Sequence, residues 1–112
     1  MEFTTTQKGN VTVITLAGSL MGGPDATTLV GKINECIDDG KKSLVINLTH
    51  VQFINSSGLG LLINGVTTMK NAGGKLKIAG ASPKIQNLFK ITRLESMMEQ
   101  YPTMEAAVKS FN

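Results

Sequence analysis

Leu44-Val45-Ile46-Asn47-Leu48, with Phe53-Ile54-Asn55-Ser56-Ser57-Gly58-Leu59-Gly60-Leu61-Leu62 close behind it, is the stretch that decides how this chain folds. The first segment is a compact apolar run, the pattern of a strand covered on both faces. The second places two adjacent hydroxyls and two glycines ahead of a helical stripe made by Leu59, Leu62, Ile63, Val66 and Met69. A strand that hands over to an amphipathic helix is a building block of a parallel sheet. Gly65 lies within the stripe, where glycine costs about 1 kcal/mol relative to alanine. Close packing of the helix on the sheet is its expected reason.

Upstream, residues 2–7 read as a short edge strand, Gly9-Asn10 as a turn, and residues 11–17 as a second strand rich in β-branched side chains. The connection is too short for a crossover, so the two strands form a hairpin. Gly18 to Gly23 reads as a glycine-rich loop. Pro24 then opens a helix with Ala26, Leu29, Val30, Ile33 and Ile37 on one face, and Gly40 closes it. Asp38 and Asp39 oppose that helix's dipole, and Lys41 and Lys42 are expected to offset them.

Downstream, Gly73-Gly74 ends the second helix and Leu76 to Ala79 is a strand. Ser82-Pro83 starts a short helix carrying Ile85, Leu88 and Phe89, which ends near Lys90. Residues 96–99 read as a brief strand. Thr103 caps a last helix with Met104, Ala107, Val108 and Phe111 on one face. The alternation predicts an α/β fold: a mixed, mostly parallel sheet with an N-terminal hairpin and about four helices, in one domain over residues 1–112.

Composition narrows the function. The net charge is +3, from 11 basic and 8 acidic residues that look scattered along the chain. The nearest basic groupings, Lys41-Lys42 and Lys70, Lys75 and Lys77, are not interleaved with aromatics, which argues against a nucleic-acid partner. Cys36 is the single cysteine, so no intrachain disulfide forms, and a reducing cytoplasm suits that usage. Its place inside a helix predicts a packed thiol. The N-terminus lacks the pattern of a signal peptide, and no apolar run has the length of a membrane span. A cytoplasmic protein with no membrane insertion is expected.

At Asn55-Ser56-Ser57-Gly58 two readings stand side by side. Asn55 or a serine caps the helix by accepting from its free N–H groups. Alternatively, a phosphate on Ser56 would sit in the positive field of the helix N-terminus. Enzymatic readings fit less well. Both glycines follow the serines, unlike the nucleophile elbow of hydrolases. His50, the only histidine, reads as a cap on the strand over 44–48. Ser57-Gly58-Leu59-Gly60 lacks the spacing and lysine of a phosphate-binding loop. One His and one Cys are too few for a metal centre. No enzyme activity and no cofactor are expected.

The segment Phe53 to Leu62, read with Val45 to Leu48 before it, resembles the signature of the STAS domain, in particular the bacterial anti-sigma-factor antagonists. Asn71-Ala72-Gly73-Gly74, Leu76 to Ala79, Ser82-Pro83, Leu88-Phe89 and the Gly18 turn extend the resemblance over nearly the whole chain. It implies a binding module for an anti-sigma-factor serine kinase, switched off by phosphorylation of Ser56 and restored by a phosphatase. It also implies a partner surface including Asn55, Ser57, Gly58, Leu59, Gly60, Ser19, Met21 and Gly22, on a monomer. The alternative is the same fold serving, without phosphorylation, as a scaffold or accessory subunit of a transport or stress-signalling complex. The chain departs from the family pattern where Asn55, Ser19 and Met21 stand in place of acids, which removes three carboxylates from the switch region.

Overall fold

The computed structural model describes residues 1–112. Five strands form one sheet in the order β1 (Glu2–Lys8), β2 (Val11–Leu20), β3 (Ser43–Ile54), β4 (Lys75–Ala79) and β5 (Glu99–Tyr101). β1 and β2 are antiparallel and every other pair is parallel. Between them run α1 (Pro24–Asp38), α2 (Ser56–Asn71) and α3 (Pro83–Ile91), and α4 (Met104–Lys109) follows β5. Each crossover advances by one strand in the same direction. Right-handed connections therefore lay α1, α2 and α3 on one face of the sheet.

Side-chain alternation fills both faces. Ile14, Leu16, Leu44, Ile46, Leu48, Leu76 and Ile78 point to the three-helix side and pack with Leu29, Ile33, Leu62, Met69 and Phe89. Val11, Val13, Val45 and Ala79 point the other way and pack on Ala107 of α4. The uninterrupted apolar run at 44–48 thus serves two cores at once. On the α4 side Lys77 is buried between the Phe111 ring, 4.0 Å from its amine, the Ser110 hydroxyl at 2.7 Å and Glu99 at 3.2 Å. Glu99 also takes the Tyr101 hydroxyl and the Lys75 amine at 2.9 Å. The Tyr101 hydrogen bond first, then those from Lys75 and Lys77, hold its carboxyl down to about 2.

The caps follow the local chemistry. Ser82 accepts from the Ile85 amide and Thr103 from that of Ala106, while Pro24 and Pro83 open α1 and α3. Gly40 takes the left-handed conformation after α1, with φ +72°. Gly65 does sit at a close approach. A Cβ there would lie 3.0 Å from Ile33 of α1 and 3.3 Å from Leu76 of β4. Cys36 is a packed core thiol, and burial pushes its pKa up.

Five expectations need correction. β2 does not end at 17 but runs to Leu20, so the loop shrinks to Met21–Gly23. β3 does not end at Leu48 but continues to Ile54. The two extensions pair with each other, and register shifts at Thr15/Ala17 and Gly18/Ser19 absorb the irregularity, Gly18 taking φ +110°. His50 consequently lies within β3, exposed and opposite Ala17, and caps nothing. The last strand is Glu99–Tyr101, because residues Glu95–Met97 first make a 3-10 turn. Finally, Lys41 donates to Gln7 Oε1 at 3.0 Å and tethers the end of α1 to the hairpin, and neither Lys41 nor Lys42 forms an ion pair with Asp38 or Asp39.

Candidate functional site

β2 and β3 outrun the rest of the sheet. β4 ends with Ala79 opposite Asn47, whereas β2 and β3 stay paired as far as Leu20 and Ile54. They form a two-stranded ribbon whose carboxyl end carries the Met21–Gly23 loop and the start of α2. In open α/β sheets this end is where ligands and partners are met.

Asn55 organises the junction. Its backbone is extended, with φ −94° and ψ −178°, and its Oδ1 accepts from the Gly58 amide at 2.8 Å. This is an N-cap on the third residue of α2. Its backbone N–H donates to the Leu20 carbonyl at 3.3 Å, and its Nδ2 donates to the Met21 carbonyl at 3.2 Å. One side chain thus fixes the helix start and the neighbouring loop together. An aspartate in its place would keep the cap and lose the bond to Met21, because a carboxylate has no N–H to donate. The amide is therefore matched to this loop.

Gly58 is required by the same contact. A Cβ there would lie 2.1 Å from the Leu20 carbonyl oxygen, so α2 starts directly against the end of β2. Leu59 is also buried and belongs to the core beneath the site. Ser56 and Ser57 occupy the first turn and are exposed. They differ in surroundings. A Cβ on Gly22 would lie 3.0 Å from Cβ of Ser57, so Ser57 faces the loop, where Gly22 itself takes φ +87°. The Asn55 carboxamide already occupies the cap, which leaves the Ser56 hydroxyl without a capping role.

Of the other expected site residues, Met21 is exposed on the loop. Ser19 is half-buried in β2 opposite Phe53. Gly60 is exposed, with open space where a side chain would go. The ribbon and the first turn of α2 thus bring Asn55, Ser56, Ser57, Met21 and Gly22 together, while Gly58 and Leu59 lie below as support. No acidic residue stands in the first turn of α2. The α2 N-terminus therefore faces solvent with its positive end uncompensated.

The model of the STAS domain family matches residues 2–107. The chain belongs to the STAS domain family. Among curated relatives, the anti-sigma-B factor antagonist of Staphylococcus aureus is 35% identical over 60 residues, which are 54% of this chain and 56% of that protein. The chain thus spans about half the length of the curated relatives it matches. Solved structures share the fold more completely. An anti-sigma factor antagonist from Mycobacterium paratuberculosis superposes with a TM-score of 0.81 at 23% identity, over 97% of this chain and 92% of that one. The Bacillus cell fate determinant SpoIIAA, in its phosphorylated form, gives 0.75 at 23% identity over 99% of this STAS chain and all of its own.

Proposed function

We propose that this STAS domain is an anti-sigma-factor antagonist, a binding module for an anti-sigma-factor serine kinase that is switched off by phosphorylation of Ser56. The observation that carries this reading is the division of labour at the α2 N-terminus. Asn55 does the capping, so Ser56 is exposed and carries no structural duty. A phosphate on Ser56 brings nearly two negative charges and three acceptor oxygens to the positive end of a 16-residue helix. It meets no acidic neighbour in that turn. Ser57 is the poorer acceptor because its side chain is turned toward the Gly22 loop. The likeness to antagonists on both sequence and fold supports the reading.

The experiment is phosphorylation of the full chain by its cognate kinase and ATP, followed by mass spectrometry, with phosphatase treatment as the reversal. One phosphate is expected, lost in Ser56→Ala and retained in Ser57→Ala. A phosphate that persists in Ser56→Ala would take the switch away from Ser56, and a kinase that binds the chain without modifying it would instead support the unphosphorylated accessory role.

A further inference from the structure

The basic charge of this chain is segregated. No Asp or Glu occurs between Asp39 and Glu95, while Lys41, Lys42, Lys70, Lys75, Lys77, Lys84, Lys90 and Arg93 all fall in that interval. The interval comprises β3, α2, β4 and α3, the elements that build and flank the Ser56 end. Three of these cations are engaged, Lys41 by Gln7 and Lys75 and Lys77 by Glu99. Those on α3 and just after it, Lys84, Lys90 and Arg93, have no acidic partner within 4 Å.

The same region holds exposed apolar surface. Four large apolar side chains stand out from the fold, and two of them, Phe53 at 42% and Ile91 at 69%, line one groove of about 220 Å³ between the end of β3 and α3. Ile54, Ile85 and Leu88 complete its apolar lining. Lys84 stands at its edge with its amine 5.8 Å from the Phe53 ring. A third exposed apolar residue, Met21 at 48%, lies on the loop bonded to Asn55. Phe53 and Ile54 lead directly into Asn55 and Ser56, so groove and switch are continuous along one strand.

We propose that this groove anchors the protein partner by taking an apolar side chain from an acidic segment of it. The proposal rests on the reading of the chain as a protein-binding module and adds where and by what chemistry it grips. The groove is smaller than the roughly 300–1,000 Å³ typical of small-molecule pockets, and suits a side-chain anchor better. The unopposed cations of α3 select an acidic flank by charge complementarity.

The test is an NMR titration of the ¹⁵N-labelled full chain with two synthetic amphipathic helical peptides. Both carry leucines at i, i+3, i+4 and i+7; one carries glutamates on its polar face and the other lysines. The acidic peptide is expected to move the amides of Phe53, Leu88 and Ile91 saturably, and to bind at least fivefold more tightly than the basic one. Ile91→Glu, at an exposed position that leaves the core intact, is expected to weaken it tenfold or more. Lys84→Glu should narrow the preference between the peptides.

Equal binding of the two peptides, or shifts centred away from the groove, would overturn the proposal. So would stronger shifts of these amides by a single-stranded oligonucleotide or by anionic lipid vesicles. The titration involves neither kinase nor phosphate, so it separates the groove from the switch. A chain never phosphorylated on Ser56 that still shows the titration loses the switch alone. A chain in which Ile91→Glu leaves the kinase KM unchanged loses the groove alone.

Discussion

Replacing Asn55 tests whether one amide holds the start of α2 and the Met21–Gly23 loop together. Asn55→Ala removes the cap on Gly58, worth about 1 kcal/mol. It also removes the bond to the Met21 carbonyl, worth another 0.5–1.5 kcal/mol or so. The sum is about 2 kcal/mol. With an unfolding entropy of about 2.1 cal/mol/K per residue over 112 residues, that lowers the melting temperature by about 8 °C. Asn55→Asp keeps the acceptor, gains from the helix dipole and loses only the donor, so it should cost under about 1 kcal/mol. The two variants should nonetheless agree in one respect. Both release Met21–Gly23, which ¹⁵N relaxation reads as lower order parameters in those residues. Thermal melts and relaxation on the three proteins decide the matter. A loop that stays as rigid in Asn55→Asp as in the parent would refute the role given to Nδ2. Equal melting losses in the two variants would refute the cap.

Two glycines of the motif should respond oppositely to alanine. Gly58→Ala meets the Leu20 carbonyl and should cost about 3 kcal/mol or more, whereas Gly60→Ala meets open space and should gain up to about 1 kcal/mol in urea unfolding. Glu99 makes the fold acid-sensitive. Its folded pKa, about 2, lies below the unfolded value near 4.5, so its contribution is present above about pH 5 and is lost as pH falls toward 2. Because its side chain is 36% exposed, solvent screening reduces that contribution to about 1–2 kcal/mol; roughly half of it is lost between pH 6 and pH 3, so Glu99→Gln should flatten the unfolding free energy from urea titrations over that window by about 0.5–1 kcal/mol.

Features encoded within a few residues are legible in the sequence. Pro24, Pro83, Ser82, Thr103 and Gly40 mark helix ends because capping depends on the chain immediately around them. The order of elements and the doubly covered strand at 44–48 are legible for the same reason. What escapes is long-range. The polar Thr49-His50 and Gln52 resemble a linker, and only pairing with the extended β2 makes them strand. The reason for Gly58 is the Leu20 carbonyl, contributed by a distant segment. Asn55 is readable as a cap but not as a donor to Met21. The exposure of Phe53 and Ile91 depends on how α3 lies along β3. The charge segregation is present in the sequence, but a net charge of +3 conceals it.

If Ser56 is the switch and the groove is the anchor, the two must communicate, and distance sets how strongly. Phe53 precedes Ser56 by three residues, which at about 3.3 Å per strand residue places a phosphate roughly 10 Å from the groove. A doubly charged phosphate acting on one acidic side chain at that distance costs about 0.8 kcal/mol in water at low ionic strength, or about a fourfold loss of affinity. The Debye length at physiological salt is about 8 Å, and screening cuts the loss to roughly 1.5-fold. Field effects alone therefore make a weak switch. The Debye length at 10 mM salt is about 30 Å, so a phosphorylated chain should bind the acidic peptide about threefold less tightly there and only about 1.5-fold less tightly at 0.15 M. Its affinity for the kinase, which must cover Ser56 itself, should fall at both. An equal, salt-independent loss for peptide and kinase would show that the phosphate acts by changing the fold of the ribbon.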